Sequence, residues 1–283
     1  MNMTRIGWIG LGNMGIPMAE QLLNAGYPVV VYNRSKAKEA ALKNLGAGIA
    51  PSPRALLEET DVVIIMVSDD KAIQDIFDGE DGLLSAKTSN KILINMSTVS
   101  PKISKEMAER CKSVGSFYLD APVSGSVKQA ETGQLVIMVG GEEQVFQKVK
   151  PILDKLGKMT LLVGLNGAGN TAKLAINSLL ALYAQGLAET VIFANKNGIE
   201  TSDLLNLINN AALGNIFTKI KGEAIISDNY KAAFALKHIV KDLSLARDEG
   251  ISSPLAKTAF DTFKSAEQTY GESDIIAIIK ALD

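Results

Sequence analysis

The sequence predicts an α/β domain with a doubly wound, mostly parallel sheet, followed by a long helix and an all-α domain. Short apolar runs of strand length alternate with helical periodicity up to residue 163, which is typical of parallel strands covered by helices. After Gly169 the apolar residues recur at helical spacing only. We therefore predict two domains, residues 1–165 and residues 166–283, with the joint in the glycine-rich stretch Gly164–Gly169.

The opening segment places a glycine-rich turn between two predicted strands. Arg5–Ile9 is an apolar run of strand length, and Pro28–Tyr32 is a second run, rich in valine. Between them come a G-x-G-x-x-G turn at residues 10–15 and a helical pattern that ends at Gly26. Strand, turn, helix and strand within about 30 residues are typical of a Rossmann-type dinucleotide-binding unit.

Each glycine of this turn has a separate physical role. Gly10 permits the tight turn, Gly12 lets the backbone approach a pyrophosphate, and Gly15 allows close helix–strand packing. The N–H groups at the start of the helix then face the phosphates. The predicted cofactor-binding turn comprises Gly10, Leu11, Gly12, Asn13, Met14 and Gly15. The alternative is a purely structural glycine turn in another α/β protein.

The end of the second predicted strand indicates which dinucleotide binds. An NAD site usually has Asp or Glu there, which accepts a hydrogen bond from the ribose 2′-hydroxyl. This chain has Asn33, Arg34 and Ser35 instead. Arg34 can pair with a 2′-phosphate, and Asn33 and Ser35 can donate hydrogen bonds to it. We predict NADP(H) over NAD(H), the alternative being that Arg34 is an ordinary surface arginine.

The composition of the chain narrows its possible partners. The formal net charge of its 283 residues is −2, so nothing indicates nucleic acid or an anionic membrane as a partner. No apolar stretch is expected to reach the roughly 18 residues of a membrane span. Cys111 and His238 are each the only residue of their kind, so we expect no intrachain disulfide, no metal site and no histidine-based triad. Because a strand is predicted from Arg5 onward, we expect no signal or transit peptide and a cytoplasmic protein.

The remaining elements are read from periodicity. Further strands of the first domain are predicted at Asp61–Val67, Ile92–Met96, Phe117–Asp120, Leu135–Val139 and Thr160–Val163. Its helices are predicted to include residues 101–113 and 142–156. Helices of the second domain are predicted at about residues 170–197, 202–212, 218–226, 235–249, 254–270 and 275–282.

The first of these later helices is unusually long, and its pattern is clearest from Lys173 onward. It would span roughly 40 Å, a length that suits a helix bridging two domains. Its wide apolar surface includes Leu187, Val191 and Phe193. That surface suggests a subunit interface in a homodimer or homotetramer, with a buried core helix as the alternative.

Lys173 and Asn177 are the first candidates for chemistry. They are four residues apart in the long helical pattern, so they share one face of the helix. They also follow the glycine-rich joint, where a substrate can lie between domains. Hydride transfer to a carbonyl leaves an oxyanion that needs a proton, which a positioned lysine can donate. Asn177 could orient that lysine or bind the substrate oxygen; the alternative is a solvated lysine on a helix.

Two further segments carry polar groups suited to anions. One predicted helix places Phe234, Lys241 and either Lys237 or His238 along one side. Two lysines and a histidine can hold an anion or a carboxamide, and an ordinary amphipathic helix is the alternative.

Asp120–Ser126 follows a predicted strand end, where α/β sheets bind ligands. Its small polar residues can offer N–H groups and hydroxyls to a carboxylate, and a plain turn is the alternative.

The order of these four segments closely resembles the β-hydroxyacid dehydrogenase family, over nearly the full length of the chain. The matching motifs are G-x-G-x-x-G at Gly10–Gly15, D-x-P-V-S-G at Asp120–Gly125, G-x-G-x-x-x-K-x-x-x-N at Gly167–Asn177 and K-D at Lys241–Asp242. The resemblance implies that the first binds the cofactor, the second binds the substrate carboxylate and the third holds the catalytic lysine. It implies that the last closes the site.

The resemblance also implies roles for single residues. Lys173 is the expected general acid/base, with Asn177 as its catalytic partner. The residues expected to contact the substrate are Ser124, Gly125 and Asn177. The residues expected to contact the cofactor beyond its phosphates are Met66, Val67, Thr98 and Lys241, the last two at the nicotinamide end.

Two details resemble the glyoxylate and succinic semialdehyde reductase branch of the family, which uses NADPH. Ser126 stands where typical 3-hydroxyisobutyrate enzymes carry glycine, and Phe234 precedes an L-K-H-x-x-K-D segment with one residue between. In that branch Phe234 and Asp242 would also line the substrate site. A carboxylate near an anionic substrate costs energy unless a lysine balances it, so we expect Asp242 to bind a lysine or a substrate hydroxyl.

The sequence thus predicts NADPH-dependent reduction of small aldehydo acids, such as glyoxylate or succinic semialdehyde, with Lys173 as proton donor. The nearest alternative is a dehydrogenase of 3-hydroxyisobutyrate or a related hydroxy acid. A non-catalytic NADPH-binding module belongs to another class of function, which an intact Lys173 and Asn177 disfavour. Imine reductases share this architecture but generally lack the lysine.

Overall fold

The computed structural model describes residues 3–283, which form two compact units. The first unit ends at Lys173 and the second begins at Leu174, so the boundary falls inside the long helix. Among the described residues, the first unit has two buried apolar clusters and the second unit has one. An α/β unit followed by a helical unit confirms the predicted fold class.

Strands and helices alternate in the first unit. The strands are β1 (Ile6–Ile9), β2 (Val29–Tyr32), β3 (Gly48–Ile49), β4 (Val62–Ile65), β5 (Ile92–Asn95), β6 (Phe117–Asp120), β7 (Val123–Ser124), β8 (Leu135–Gly140) and β9 (Gly157–Gly164). The α-helices are α1 (Gly15–Asn24), α2 (Glu39–Asn44), α3 (Pro53–Glu58), α4 (Asp70–Phe77), α5 (Pro101–Ser113), α6 (Val127–Glu131) and α7 (Glu143–Leu153). Helix α5 has its predicted bounds, whereas the two-residue strands β3 and β7 carry no periodic signal that a sequence could show.

The sheet has the strand order β3-β2-β1-β4-β5-β6-β8-β7, with β9 paired to β8. Pairing is parallel from β3 to β6 and antiparallel where β8 meets β6 and β7. The register aligns the last residues of the parallel strands. The segments that leave the sheet together at this edge begin at Gly10, Asn33, Met66, Met96 and Ala121. Ligands of doubly wound sheets bind at this edge.

Strands β1 and β4 are apolar and buried on both faces, as parallel strands covered by helices must be. Val62 and Ile64 belong to the core on one face of the sheet. Val63 and Ile65, the alternate residues of the same strand, belong to the core on the other face. This alternation explains why the run of β4 shows no polar residue.

The second unit is helical throughout the residues that the structure describes. Its elements are the later part of α8 (Ala168–Lys196), then α9 (Thr201–Asn210), α10 (Ile216–Ile226), α11 (Leu236–Asp248), α12 (Pro254–Tyr270), a 3-10 turn (Ile275–Ile278) and α13 (Ile279–Leu282). Its core includes Phe263 and Leu236, both 0% exposed. Helix α12 has its predicted bounds, and the predicted last helix is divided into the 3-10 turn and α13.

Helix α8 requires a correction to the sequence analysis. It is 29 residues long, and an 18-residue stretch of it has a mean hydropathy of 1.3. By length and composition alone, this helix could span a membrane. The expectation that no stretch reaches this length is therefore wrong. Core helices of soluble proteins can be equally long and apolar, and 44% of this 18-residue stretch is buried within the protein. Buried polar side chains interrupt the apolar pattern, among them Asn170, Asn177 and Gln185.

Candidate active site

Two glycines of the cofactor turn are required by the protein itself. Gly10 has φ +99°, and a Cβ there would lie 2.1 Å from the carbonyl oxygen of Met66. A Cβ on Gly15 would lie 2.1 Å from the carbonyl oxygen of Gly10. The indole Nε1 of buried Trp8 donates a hydrogen bond of 3.0 Å to that same oxygen. The turn is therefore packed too closely for any side chain at these two positions.

Gly12 is different, because no atom of the described residues lies within 4 Å of the position that its Cβ would take. The fold therefore does not require glycine at this position. A Cβ there would project into open space close to the start of α1, where helix geometry leaves N–H groups unpaired. This cradle fits a dinucleotide pyrophosphate, as the sequence predicts.

Asn33 holds the cofactor turn against the end of β2. The backbone N–H of Leu11 donates to Asn33 Oδ1 at 2.9 Å. Asn33 Nδ2 donates to the carbonyl oxygen of Ser35 at 2.8 Å, and its backbone N–H donates to Glu39 Oε1 at 2.9 Å. The side chain thus has a structural role that sequence reasoning did not assign. The predicted contact with a 2′-phosphate then depends chiefly on Arg34 and Ser35, which are both exposed.

Sequence reasoning missed two charged residues beside this corner. Lys36 Nζ lies 3.0 Å from Oε1 of the buried Glu39 and 4.4 Å from the centroid of the Tyr32 ring. A free carboxylate at this corner would disfavour a 2′-phosphate, but Glu39 is paired with Lys36 and with the N–H of Asn33. The spacing of three residues between Lys36 and Glu39 was the available signal.

Hydrogen bonds join the ends of β4 and β5. Val67 N donates to Ser97 Oγ at 2.8 Å, and Ser97 N donates to Asn95 Oδ1 at 3.0 Å. Both acceptor residues are 0% exposed. This network places Met66 and Val67 next to the segment of the half-buried Thr98. The predicted cofactor contacts of Met66, Val67 and Thr98 therefore come from adjacent loops of one sheet edge.

Asp120 fixes the start of helix α8. Its buried carboxylate accepts hydrogen bonds from the N–H groups of Gly167 at 2.7 Å and Asn170 at 2.9 Å. Burial raises the pKa of this carboxyl above its ordinary value, and these two hydrogen bonds act in the opposite direction. Asn170 in turn accepts from Val99 N at 3.0 Å. A carboxylate at a helix N-terminus is favourable, which accounts for the start of α8 at Ala168, slightly before the predicted start near residue 170.

The glycines before Lys173 allow close packing of this helix start. A Cβ on Gly169 would lie 2.5 Å from the carbonyl oxygen of Met138, and one on Gly140 would lie 2.6 Å from Asp120 Oδ1. Lys173 follows Gly169 by one helical turn, and only 9% of its surface is exposed. Its backbone position is therefore set by the Asp120 anchor, and its burial differs from that of a solvated surface lysine.

The Asp120–Ser126 segment is a short strand and a tight turn. Ser124 lies in β7 opposite Val136 of β8 and is half-buried. Gly125 has φ +141°, and a Cβ there would lie 2.8 Å from the side chain of Leu135. Ser126 N donates to Gln129 Oε1 at 2.8 Å, at the start of α6. Ser126 thus acts in the local turn, and the predicted substrate contacts of Ser124 and Gly125 stay predictions.

The second unit brings Asn177, Lys241 and Asp242 together. Asn177 Nδ2 donates to Asp242 Oδ2 at 2.6 Å, and Lys241 Nζ lies 3.0 Å from Asp242 Oδ1. Asn177 and Asp242 are 1% and 3% exposed. The expected lysine contact of Asp242 is confirmed. Because its amide nitrogen is engaged with Asp242, Asn177 presents its carbonyl oxygen as an acceptor for another group.

The other polar residues near the start of α11 are less suited to anions than the sequence suggests. Lys237 Nζ lies 2.6 Å from Glu272 Oε1, so its charge is already paired. The ring of His238 stacks on Phe234 with centroids 6.1 Å apart. Burial first, and then the charges of Lys237 and Lys241, lower the pKa of His238. Lys241 is likewise paired, with Asp242, so the predicted anion site of two lysines and a histidine stays a prediction.

Comparison with known proteins identifies the chain. Residues 5–164 match the family model of the NAD binding domain of 6-phosphogluconate dehydrogenase, and residues 167–282 match that described as NAD-binding of NADP-dependent 3-hydroxyisobutyrate dehydrogenase. The chain belongs to the β-hydroxyacid dehydrogenase family. It is accordingly an oxidoreductase that uses a nicotinamide cofactor and acts as a hydroxyacid dehydrogenase.

Similar proteins include both enzyme types predicted from the sequence. The chain is 34% identical to glyoxylate/succinic semialdehyde reductase 2 (chloroplastic) of Arabidopsis thaliana, over 98% of its own length and 79% of that protein. It is 29% identical to the solved 3-hydroxyisobutyrate dehydrogenase of Mycobacterium tuberculosis with L-serine, with a TM-score of 0.91 and 99% of both chains covered. It is 26% identical to Psf3 in complex with NADP+ and 2-OPP, with a TM-score of 0.89 and 98% and 100% coverage.

Proposed function

We propose that this enzyme reduces small aldehydo acids of the glyoxylate and succinic semialdehyde type to hydroxy acids with NADPH. The observation that carries the proposal is the intact pair of Lys173 and Asn177 on α8, with Asn177 held by Asp242 beside Lys241. A related dehydrogenase of 3-hydroxyisobutyrate is the second candidate, which the structural similarity to the M. tuberculosis enzyme favours.

The proposed reaction moves a hydride and a proton onto the aldehyde. When bound, NADPH would supply the hydride that adds to the aldehyde carbon. The carbon–oxygen π bond opens, and the oxygen takes a proton from Lys173 Nζ. Asn177 Oδ1 can accept a hydrogen bond from that ammonium group or from the new hydroxyl. A positioned acid of this kind typically contributes about 10²- to 10⁴-fold in rate.

The proposed carboxylate site uses Ser124 and the turn at Gly125. A hydroxyl and backbone N–H groups suit a carboxylate because they bind its charge without needing a second lysine. Phe234 supplies an apolar wall. The charge of Asp242 is balanced in this arrangement, since Lys241 Nζ lies 3.0 Å from its Oδ1 and Asn177 donates to its Oδ2.

The proposed cofactor site prefers NADPH through its 2′-phosphate. Arg34 and Ser35 would bind that phosphate, with Lys36 as a second cation. The turn around Gly12 would hold the pyrophosphate. Met66, Val67, Thr98 and Lys241 would contact the cofactor toward its nicotinamide end. The NADP+ in the related Psf3 structure supports this preference.

We also propose that the enzyme is a cytoplasmic homodimer or homotetramer. Exposed apolar residues on α8 support an oligomer, since Leu179 and Phe193 are 55% and 70% exposed. Light scattering on the purified protein tests the assembly. A monomer at micromolar concentration would contradict it.

One steady-state screen tests the function. Glyoxylate, succinic semialdehyde and 3-hydroxyisobutyrate are assayed with NADPH and NADH, or with the oxidised forms, at fixed enzyme concentration. Lys173→Ala should lose about 10²- to 10⁴-fold in kcat while still binding NADPH, because only the proton donor is removed. Lys196→Ala, at the exposed end of the same helix, is the matched control. Activity of Lys173→Ala within about tenfold of the wild type would reject the proton-donor role.

A further inference from the structure

A buried ion pair in the second unit lies outside all four sequence motifs. Lys221 of α10 and Asp274, which precedes the 3-10 turn, are 9% and 2% exposed. Lys221 Nζ lies 2.7 Å from Oδ1 and 2.9 Å from Oδ2 of Asp274. Removing two charges from water costs about as much as their attraction returns, so such a pair is weak evidence for a stabilising role alone. Its other contacts indicate what it does.

The Asp274 carboxylate also binds three backbone N–H groups. Oδ2 accepts from Ala233 N at 3.0 Å and from Phe234 N at 3.3 Å. Oδ1 accepts from Ile276 N at 3.1 Å. A carboxylate with this many donors is fixed in orientation. Lys221 supplies the opposite charge that a buried carboxylate requires.

These bonds hold the backbone of Phe234 from both sides. Its N–H donates to Asp274, and its carbonyl oxygen accepts from Ile275 N at 2.9 Å. The next bond in the series joins Leu236 N to the carbonyl oxygen of Ser273 at 2.9 Å. Phe234 lies immediately before the N-cap of α11, so the same contacts fix where that helix starts. Asp242 lies on α11 and depends on this start for its place.

We propose that Asp274, with Lys221 as its counter-ion, is a positioning residue that holds Phe234 and the start of α11 and thereby sets the length of aldehydo acid that the enzyme accepts. The inference rests on the proposed function, in which Phe234 forms the apolar wall of the substrate site. A short substrate such as glyoxylate has few atoms that could adapt to a displaced wall, so its placement depends most on a wall that is fixed. Loosening the wall should therefore penalise glyoxylate more than succinic semialdehyde.

Two variants and two controls test this with the full-length enzyme. Lys221→Met removes the counter-ion at similar volume, and Asp274→Asn removes one acceptor. Lys221→Arg keeps the charge and should restore most of the wild-type behaviour. Glu272→Gln breaks the nearby exposed Lys237 pair, in which Glu272 is 84% exposed, and should change neither readout.

The first readout is hydrogen exchange of a peptide spanning residues 231–237, which does not require turnover. In Lys221→Met and Asp274→Asn the amides of Ala233 and Phe234 should exchange about tenfold faster or more. In the wild type these two amides should be protected from exchange although Ala233 is exposed. This wild-type measurement tests the positioning role even if neither variant folds. Unprotected amides in the wild type, or unchanged exchange in folded variants, would overturn the positioning role.

The second readout is the kinetics at saturating NADPH. The KM for glyoxylate should rise about tenfold in Lys221→Met with kcat within about threefold, and the ratio of kcat/KM for glyoxylate to that for succinic semialdehyde should fall. A lower melting temperature with an unchanged ratio would reduce the pair to a structural role and reject the proposal. Absence of aldehydo acid turnover in the wild type would instead reject the proposed function, and the exchange result would stand independently.

Discussion

Replacing Gly12 by alanine should abolish tight cofactor binding and leave the fold intact. No described atom lies within 4 Å of the added Cβ, so nothing in the protein has to move. An alanine that fits its backbone conformation also restricts the unfolded chain, which stabilises a protein by about 0.4–1 kcal/mol. We therefore expect a free energy of unfolding at or slightly above that of the wild type. The Cβ would, however, keep the backbone from the pyrophosphate.

Gly10→Ala is the contrasting variant in the same turn. Its φ of +99° and the carbonyl oxygen of Met66 at 2.1 Å leave no room for a Cβ. Backbone strain of this kind costs of order 1–3 kcal/mol, and displacing Met66 at the end of β4 adds to it. We expect Gly10→Ala to lower the free energy of unfolding by at least this strain. Loss of cofactor binding in this variant would follow from the altered fold.

Urea unfolding and NADPH fluorescence titration separate the two effects. For Gly12→Ala we expect the Kd for NADPH to rise about 100-fold, equivalent to about 2.7 kcal/mol, with an unchanged urea midpoint. A Kd within about threefold of the wild type would show that Gly12 does not face the pyrophosphate. A urea midpoint as low as that of Gly10→Ala would show that the open space at Gly12 is misjudged.

Three further outcomes are expected. Arg34→Ala should raise the KM for NADPH about tenfold and leave the KM for NADH unchanged, because only a contact with the 2′-phosphate is removed. An undiminished NADPH preference in steady-state assays would contradict this. Asp242→Asn should lower the free energy of unfolding by about 1–3 kcal/mol and reduce kcat, because Lys241 loses its counter-ion and the amide of Asn177 loses a charged acceptor. Unaltered urea and kinetic data would refute this. Because the pKa of His238 is lowered from 6.5 in the folded protein, the unfolded chain binds the proton first, so stability should fall as pH drops below about 6.5. Thermal melts of His238→Gln should show a smaller decrease over the same range, and an identical decrease would exclude His238 as the cause.

The glycine turn could be predicted because its spacing is short and fixed. Gly15 must approach the carbonyl oxygen of Gly10 within the same turn, and the G-x-G-x-x-G spacing encodes that contact, although Gly10 itself is required by Met66, which is distant in sequence. The long α8 and the helices after it also follow from periodicity over many residues. The two-residue strands β3 and β7 could not be predicted, because their pairing depends on neighbouring strands already in place.

The roles of polar residues were harder to predict, because their partners are distant in sequence. Asn33 was interpreted as a donor to phosphate, yet its amide oxygen binds Leu11, 22 residues earlier. Asp120 was placed in a carboxylate-binding segment, yet its own carboxylate binds the N–H of Asn170, 50 residues later. An amide or carboxylate in a motif shows that a hydrogen bond is needed there. It does not show whether the partner is a ligand or the backbone.

The start of α8 shows why local propensity and tertiary structure can disagree at a functional site. Glycine disfavours helices, so residues 164–169 were interpreted as a linker and the helix was predicted to be clearest from Lys173. The structure requires glycine at position 169 because a Cβ there would lie 2.5 Å from the carbonyl oxygen of Met138. It compensates the propensity loss with the Asp120 carboxylate at the helix N-terminus. The glycines that make the start of this helix hard to predict from sequence therefore also allow the close packing that fixes the backbone before Lys173.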